Sequence, residues 1–201
     1  MVTHIVGGAL GIVALVLCTL TSISHDNIHG LVGSVIYGIS MIALYTMSSV
    51  YHGLRPGMAK KVLQVLDHCT IYFLIAGTYT VLAISALRPL YPGLSWGMLI
   101  FQWTLAAIAT TLTAIDLEKF NAFSMICYIG MGWAVLPFAV QTRHALGDTG
   151  FIWLLWGGIV YTVGAVLYGI GSKKKWFHSV FHIFVVMGSV LQAVCILGYV
   201  I

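Results

Sequence analysis

The chain has 201 residues, 60% of them hydrophobic and 7% charged, with a net charge of +4. Soluble domains carry about 25% charged residues, so this composition cannot cover a water-facing surface and excludes a soluble globular protein. The basic residues sit in loops between apolar runs, where they act as topology signals rather than as a surface for nucleic acid.

One helical crossing of a bilayer needs about 20 predominantly apolar residues. Seven such runs with short connections fit the sequence, predicting an all-α membrane protein: a single seven-transmembrane helix bundle over residues 1–201. Met1 lies directly against the first run, so no presequence is expected. The first helix is predicted at about 5–23, with Gly7 and Gly11 four apart on a face suited to close packing. The second, about 30–54, is apolar until Ser48 and His52 and stops at Arg55-Pro56-Gly57. The third, about 62–87, opens with Asp67 and His68 and continues through Ala76-Gly-Thr-Tyr-Thr80.

The fourth helix is expected at about 95–115. The fifth, about 122–141, contains Pro137, which predicts a kink near one end. Arg143–Gly150 reads as a polar loop, and the sixth helix, about 151–170, is rich in glycines that suit packing contacts. Lys173–Lys175 precede the seventh helix, about 176–201, which opens with His178-Ser-Val-Phe-His182. Cys18, Cys69, Cys127 and Cys195 fall in four different runs without CxxC spacing, and are expected as small packing residues rather than a disulfide framework.

Counting Lys and Arg by side puts Arg55, Lys60, Lys61, Lys119 and Lys173–Lys175 on the N-terminal side, against Arg88 and Arg143 on the other. The positive-inside rule then predicts a cytoplasmic N-terminus and an external C-terminus, in a cell membrane. The same count brings distant polar groups to one depth. His52 is three residues before Arg55, Asp67 six after Lys61, and His178 three after Lys175, so all lie within about 5–15 Å of the cytoplasmic boundary. His178 and His182, four apart, project from one helical face. Three imidazoles with one open position make a catalytic Zn²⁺ ligand set, and His52, His178 and His182 are the predicted metal ligands. Asp67 and Ser48 are the catalytic candidates. A lone carboxylate at this depth is costly to bury, which argues for a metal site or an imidazole beside Asp67. Ser48 lies one turn deeper than His52 on the same face; its alternative is a bond to the carbonyl one turn back.

With these residues assembled, the chain resembles the bacterial hemolysin III proteins within the progestin and adipoQ receptor (PAQR) family. The resemblance runs from Thr3-His4 to the last helix and is carried by Ser48-Ser-Val-Tyr-His52, Leu66-Asp67-His68, Leu74-Ile-Ala-Gly-Thr-Tyr-Thr80, Gly132-Trp133, Gly157-Gly-Ile-Val-Tyr-Thr-Val-Gly164 and Phe177-His178-Ser-Val-Phe-His182-Ile-Phe-Val. It implies that the three histidines hold zinc, with the aspartate beside the water, as in adiponectin-receptor relatives. It also implies kinship with ceramidase-type membrane hydrolases. Two departures stand out. The large cytoplasmic N-terminal segment of the eukaryotic receptors has no counterpart, and Val81 stands where many relatives have proline, which leaves a kink in the third helix without its usual cause. His4 and His68 are the further candidates near the site, His4 on the correct side of the membrane and His68 about 100° away from Asp67 on the helix. His25, His29 and His144 are expected as solvated loop residues on the opposite face.

Three functions are compatible with this reading: a zinc-dependent hydrolase of an amide- or ester-linked membrane lipid, a ligand-responsive receptor with structural zinc, and a cytolysin. The expected partners are membrane lipids, with no nucleic acid and no evident protein partner.

Overall fold

The computed structural model describes the backbone at residues 2–171 and 177–201, and side chains at 3–169 and 179–201. The helices are α1 (Val2–Ser24), α2 (Ile28–Gly53), α3 (Met58–Val81), α4 (Pro92–Ile115), α5 (Asn121–Gly132), α6 (Ala139–Gly171) and α7 (Phe177–Cys195). α3 and α7 each end in a π-helical segment, Leu82–Leu87 and Ile196–Val200. The Lys173–Lys175 run lies outside the described residues, as does the side chain of His178.

Composition explains the arrangement. Large apolar side chains such as Ile115, Ile126 and Val140 point outward, each at least 70% exposed, while the interior mixes apolar side chains with buried Ser, Thr, Gln, Tyr and His. Such an outward-facing apolar surface suits lipid, and the buried polar groups tie helices together. Neighbours pack in a ring, α1 on α2, α2 on α3, α3 on α4, and α6 on α7, which returns to α1.

Small residues bring α1, α2 and α3 close. A Cβ on Gly7 would lie 2.5 Å from the Tyr45 ring, and one on Gly33 would lie 2.6 Å from the Val81 Cα. Gly11 likewise packs against Ile42, so the Gly7/Gly11 face serves the contact its spacing predicts. The four cysteines are buried free thiols.

Among the described residues, six helical stretches are long and apolar enough to cross a membrane: Thr3–Ser24, Ile28–Gly53, Met58–Leu87, Pro92–Ile115, Asn121–Gly169 and Ser179–Val200. The fifth contains two of the seven predicted runs. Its 49 residues would extend about 74 Å as one straight helix, more than twice a hydrocarbon core. It does not run straight. Trp133 Nε1 donates to Thr162 Oγ1 at 2.9 Å across 29 residues of sequence, so the chain has doubled back.

The reversal sits at Gly147, whose φ of 70° and ψ of 171° interrupt an otherwise helical course. This corrects the expectation of a loop over Arg143–Gly150. The polar side chains there signalled a surface position, but one glycine in a left-handed conformation makes the turn, and Arg143 pairs with Asp148 across it at 2.5 Å. The kink expected at Pro137 appears as a break after Gly132 and a 3₁₀ turn over Leu136–Phe138.

α3 changes geometry at Val81–Leu82 without a proline. Thr78 and Thr80 bond back to Leu74 O and Ala76 O, and the ladder then shifts register, with Arg88 N donating to Ala83 O. Ser85 in this π-helical segment donates to Val200 O in the other at 2.5 Å and accepts from the Asn27 amide, fixing the ends of α3 and α7 to the start of α2. His29 and His144 are not simply solvated, because His29 contacts the Arg88 guanidinium and His144 pairs with the Tyr91 hydroxyl at 2.8 Å.

Candidate functional site

At the opposite end of the bundle, four helices deliver polar side chains to one place. His182, one turn into α7, is almost fully buried. His52, three residues before the Arg55-Pro56-Gly57 break that ends α2, faces it with ring centres 4.9 Å apart and planes at 89°. His4 on α1 comes closer still: its Nε2 lies 2.5 Å from His182 Nδ1, with ring centres 3.9 Å apart. On the α2–α3 side, Ser48 lies beside the Asp67 carboxylate, both at the edge of the same cavity. Ser48 is almost fully buried there, on the face of α2 turned to α3.

The two histidine contacts differ in kind. Two imidazoles bound to one tetrahedral zinc, each nitrogen about 2.0–2.1 Å from the metal, have centres about 5 Å apart and nitrogens more than 3 Å apart. His52 and His182 match the first distance. His4 and His182 are too close for the second, so theirs is a hydrogen bond, made through His182 Nδ1. Zinc-bound histidines characteristically use their second nitrogen this way, to fix ring orientation and tautomer. His52 and His182 are thus spaced as two imidazoles on one metal would be. Among the described residues no three such side chains make a complete metal-holding group. His178, the third predicted ligand, begins α7 one turn before His182, and its side chain lies outside the described residues.

His68 turns away from this centre, its Nδ1 pairing with Gln64 O at 2.8 Å, although it borders the same cavity. Tyr128 on α5 donates to the His68 carbonyl and so fixes the first turns of α3.

Below the histidines a cavity of about 160 Å³ runs into the bundle. His4, Ser48, Asp67 and His182 line one end, apolar side chains such as Ile71, Leu74 and Ile129 the middle, and Thr78, Trp133 and Gln192 the far end. Asp67 to Thr78 is eleven residues along α3, so the cavity is about 16 Å long. Tyr45 and Tyr161 both bond to Ser189 Oγ, at 2.6 and 2.7 Å, clamping α2 and α6 to α7 beside it. Tyr45 also stacks edge-on against His4 at 5.1 Å. Neither this clamp nor Gln192 is among the residues predicted from the sequence. The signal was present in the spacing of His182, Ser189 and Gln192, seven and then three apart on one helical face.

The fold and this site define an all-helical membrane protein with a buried histidine and carboxylate centre opening on an apolar cavity. The sequence model for proteins described as "Haemolysin-III related" matches residues 1–193, and the chain belongs to that family. It is 35% identical over 200 residues to "Hemolysin-3" of Bacillus cereus, covering 100% of this chain and 90% of that protein. It is 34% identical over 198 residues to the "Hemolysin-3 homolog" of Bacillus subtilis (strain 168), covering 98% and 91%. It is also 29% identical over 172 residues to the human "Monocyte to macrophage differentiation factor", covering 82% of this chain and 68% of that protein.

Proposed function

We propose that the chain is a zinc-dependent hydrolase of an amide- or ester-linked membrane lipid, with His52, His178 and His182 holding the metal. One observation carries this reading: a single cavity joins the histidine and carboxylate centre to an apolar interior deep enough for an acyl chain. A receptor with structural zinc has no need of a carboxylate poised at the head of such a channel.

Zinc, when bound, supplies a Lewis acid that polarises a carbonyl and acidifies water. The protein's own residues do the rest. Asp67 is placed to accept a proton from the attacking water and to return it to the leaving group, the role of a general base and acid. Ser48 holds the Asp67 carboxylate in one orientation through its hydroxyl. His4 holds the His182 ring. The apolar cavity wall receives the acyl chain and excludes bulk water from the reacting bond.

The proposal includes seven crossings, counting residues 121–141 and 148–169 as two because of the reversal at Gly147. It also includes a cytoplasmic N-terminus and an external C-terminus, supported by the Lys and Arg count. The site then opens near the inner leaflet of the cell membrane, the cytoplasmic membrane in a bacterium.

The test is metal analysis of purified protein followed by mass spectrometry of ceramides, N-acyl lipids and glycerolipids incubated with it. One zinc per chain and released fatty acid are expected, both lost in His52→Ala, His178→Ala and His182→Ala. Zinc without turnover of any of these lipids would favour the receptor. Ion conductance with neither would favour the cytolysin.

A further inference from the structure

The far end of the cavity holds a polar group that the proposed chemistry does not use. Gln192 on α7 is 6% exposed and borders the cavity. Its Nε2 donates to Leu154 O at 3.2 Å. A backbone carbonyl only accepts, so the amide nitrogen must face Leu154, and the side-chain oxygen is turned the other way. That oxygen, Oε1, is buried and has no hydrogen-bond partner among the described residues.

The fold makes room for this amide. A Cβ on Gly157 would stand 2.5 Å from Gln192 Nε2, so α6 forgoes a side chain where the amide packs. Neighbouring polar groups already have partners: Thr78 bonds to Leu74 O, Thr162 to Gly158 O, and Trp133 Nε1 to Thr162. An unpaired acceptor buried in apolar surroundings costs free energy until a donor arrives. A cationic donor would need a compensating carboxylate, and the residues lining this end include none. The donor that fits is a neutral hydroxyl.

We propose that the far end of the cavity is a hydroxyl-binding subsite, and that the preferred lipid carries a hydroxylated acyl chain. The inference rests on the lipid-hydrolase reading for the direction in which the chain enters. Gln192 is ten residues beyond His182 on α7, which places the hydroxyl about 15 Å from the bond that is cleaved.

The experiment measures displacement of a fluorescent fatty acid from the purified full-length protein by hexadecanoic acid and by a series of its monohydroxy isomers. Isomers with the hydroxyl in the distal part of the chain should bind about tenfold tighter than the parent acid, and the 2-hydroxy isomer no tighter. Gln192→Met, which keeps the length but removes the amide acceptor, should lose the preference, binding the distal hydroxy isomers no tighter than the parent acid. Gly157→Ala, which displaces the amide, should weaken the preference in the same sense. Equal binding of all isomers by the unaltered protein, as a trapped water on Oε1 would give, overturns the subsite and leaves the lipid reading intact. So does a preference retained in Gln192→Met. Failure of the unaltered protein to bind hexadecanoic acid or any isomer sinks the lipid reading, and the subsite with it.

Discussion

Replacing His4 tests the proposed zinc site through a residue outside the proposed ligand set. His4 is 3% exposed, and its Nε2 engages His182 Nδ1 at 2.5 Å. In His4→Ala the His182 ring loses that contact and the edge-on support that His4 relays from Tyr45. A buried ring nitrogen left without its partner costs about 1–3 kcal/mol, and removing the group that orients a metal-bound histidine lowers affinity about 10–100-fold. The two figures agree, since tenfold corresponds to about 1.4 kcal/mol. Zinc competition with a chromogenic chelator reads the affinity directly. A thermal melt of the metal-free protein separates local loss of orientation from general destabilisation. We expect zinc affinity to fall 10–100-fold, with partial recovery in His4→Gln, whose amide can reach toward the same nitrogen. Affinity within about twofold of the unaltered protein would refute the assignment, because a ring held only by α7 would then suffice.

Asp67→Asn keeps the shape but removes the proton acceptor, so it should retain zinc and lose most lipid hydrolysis, about 100-fold or more; zinc lost from this variant would make Asp67 a ligand instead. Ser48→Ala should lower turnover less than Asp67→Asn while leaving metal content unchanged, and turnover equal to the unaltered protein would free Asp67 from any need of that hydroxyl. Gly7→Ala forces a methyl to within 2.5 Å of a Tyr45 ring pinned by bonds to Val185 O and Ser189, and should cost about 1–3 kcal/mol in detergent unfolding; an unchanged midpoint would mean that α1 shifts freely on α2. Cysteine placed at position 174 should react only with reagent on the cytoplasmic side and cysteine appended after Ile201 only from outside, the reverse pattern turning the site to the outer leaflet.

The sequence by itself determined the membrane class and most of the helix list, because hydrophobic length and charge are local properties that need no knowledge of neighbours. It also set how far His52 and Asp67 lie from their helix ends, since counting residues measures distance along the axis. Which faces meet is another matter. In a bilayer protein the lipid-facing and interior surfaces are both apolar, so hydropathy does not say which side of α1 turns toward α7. The contact of His4 with His182 joins residues 178 apart in sequence and follows from the close packing of α1, α2 and α7 around Tyr45. The same packing brings Ser48 beside Asp67. Gly147 shows the limit in the other direction: the polar stretch around it marked a surface, but only the backbone reveals that a single residue reverses the chain. At Val81 the sequence lacked the proline that would signal a break, yet the close approach of Gly33 and the back-bonding of Thr78 and Thr80 accompany a π-helical end that ties α3 to the end of α7. The cavity is the furthest from sequence of all these features. It is the space left where packed helices fail to fill their shared interior, and its extent from Asp67 to Gln192 depends on every helix that lines it at once.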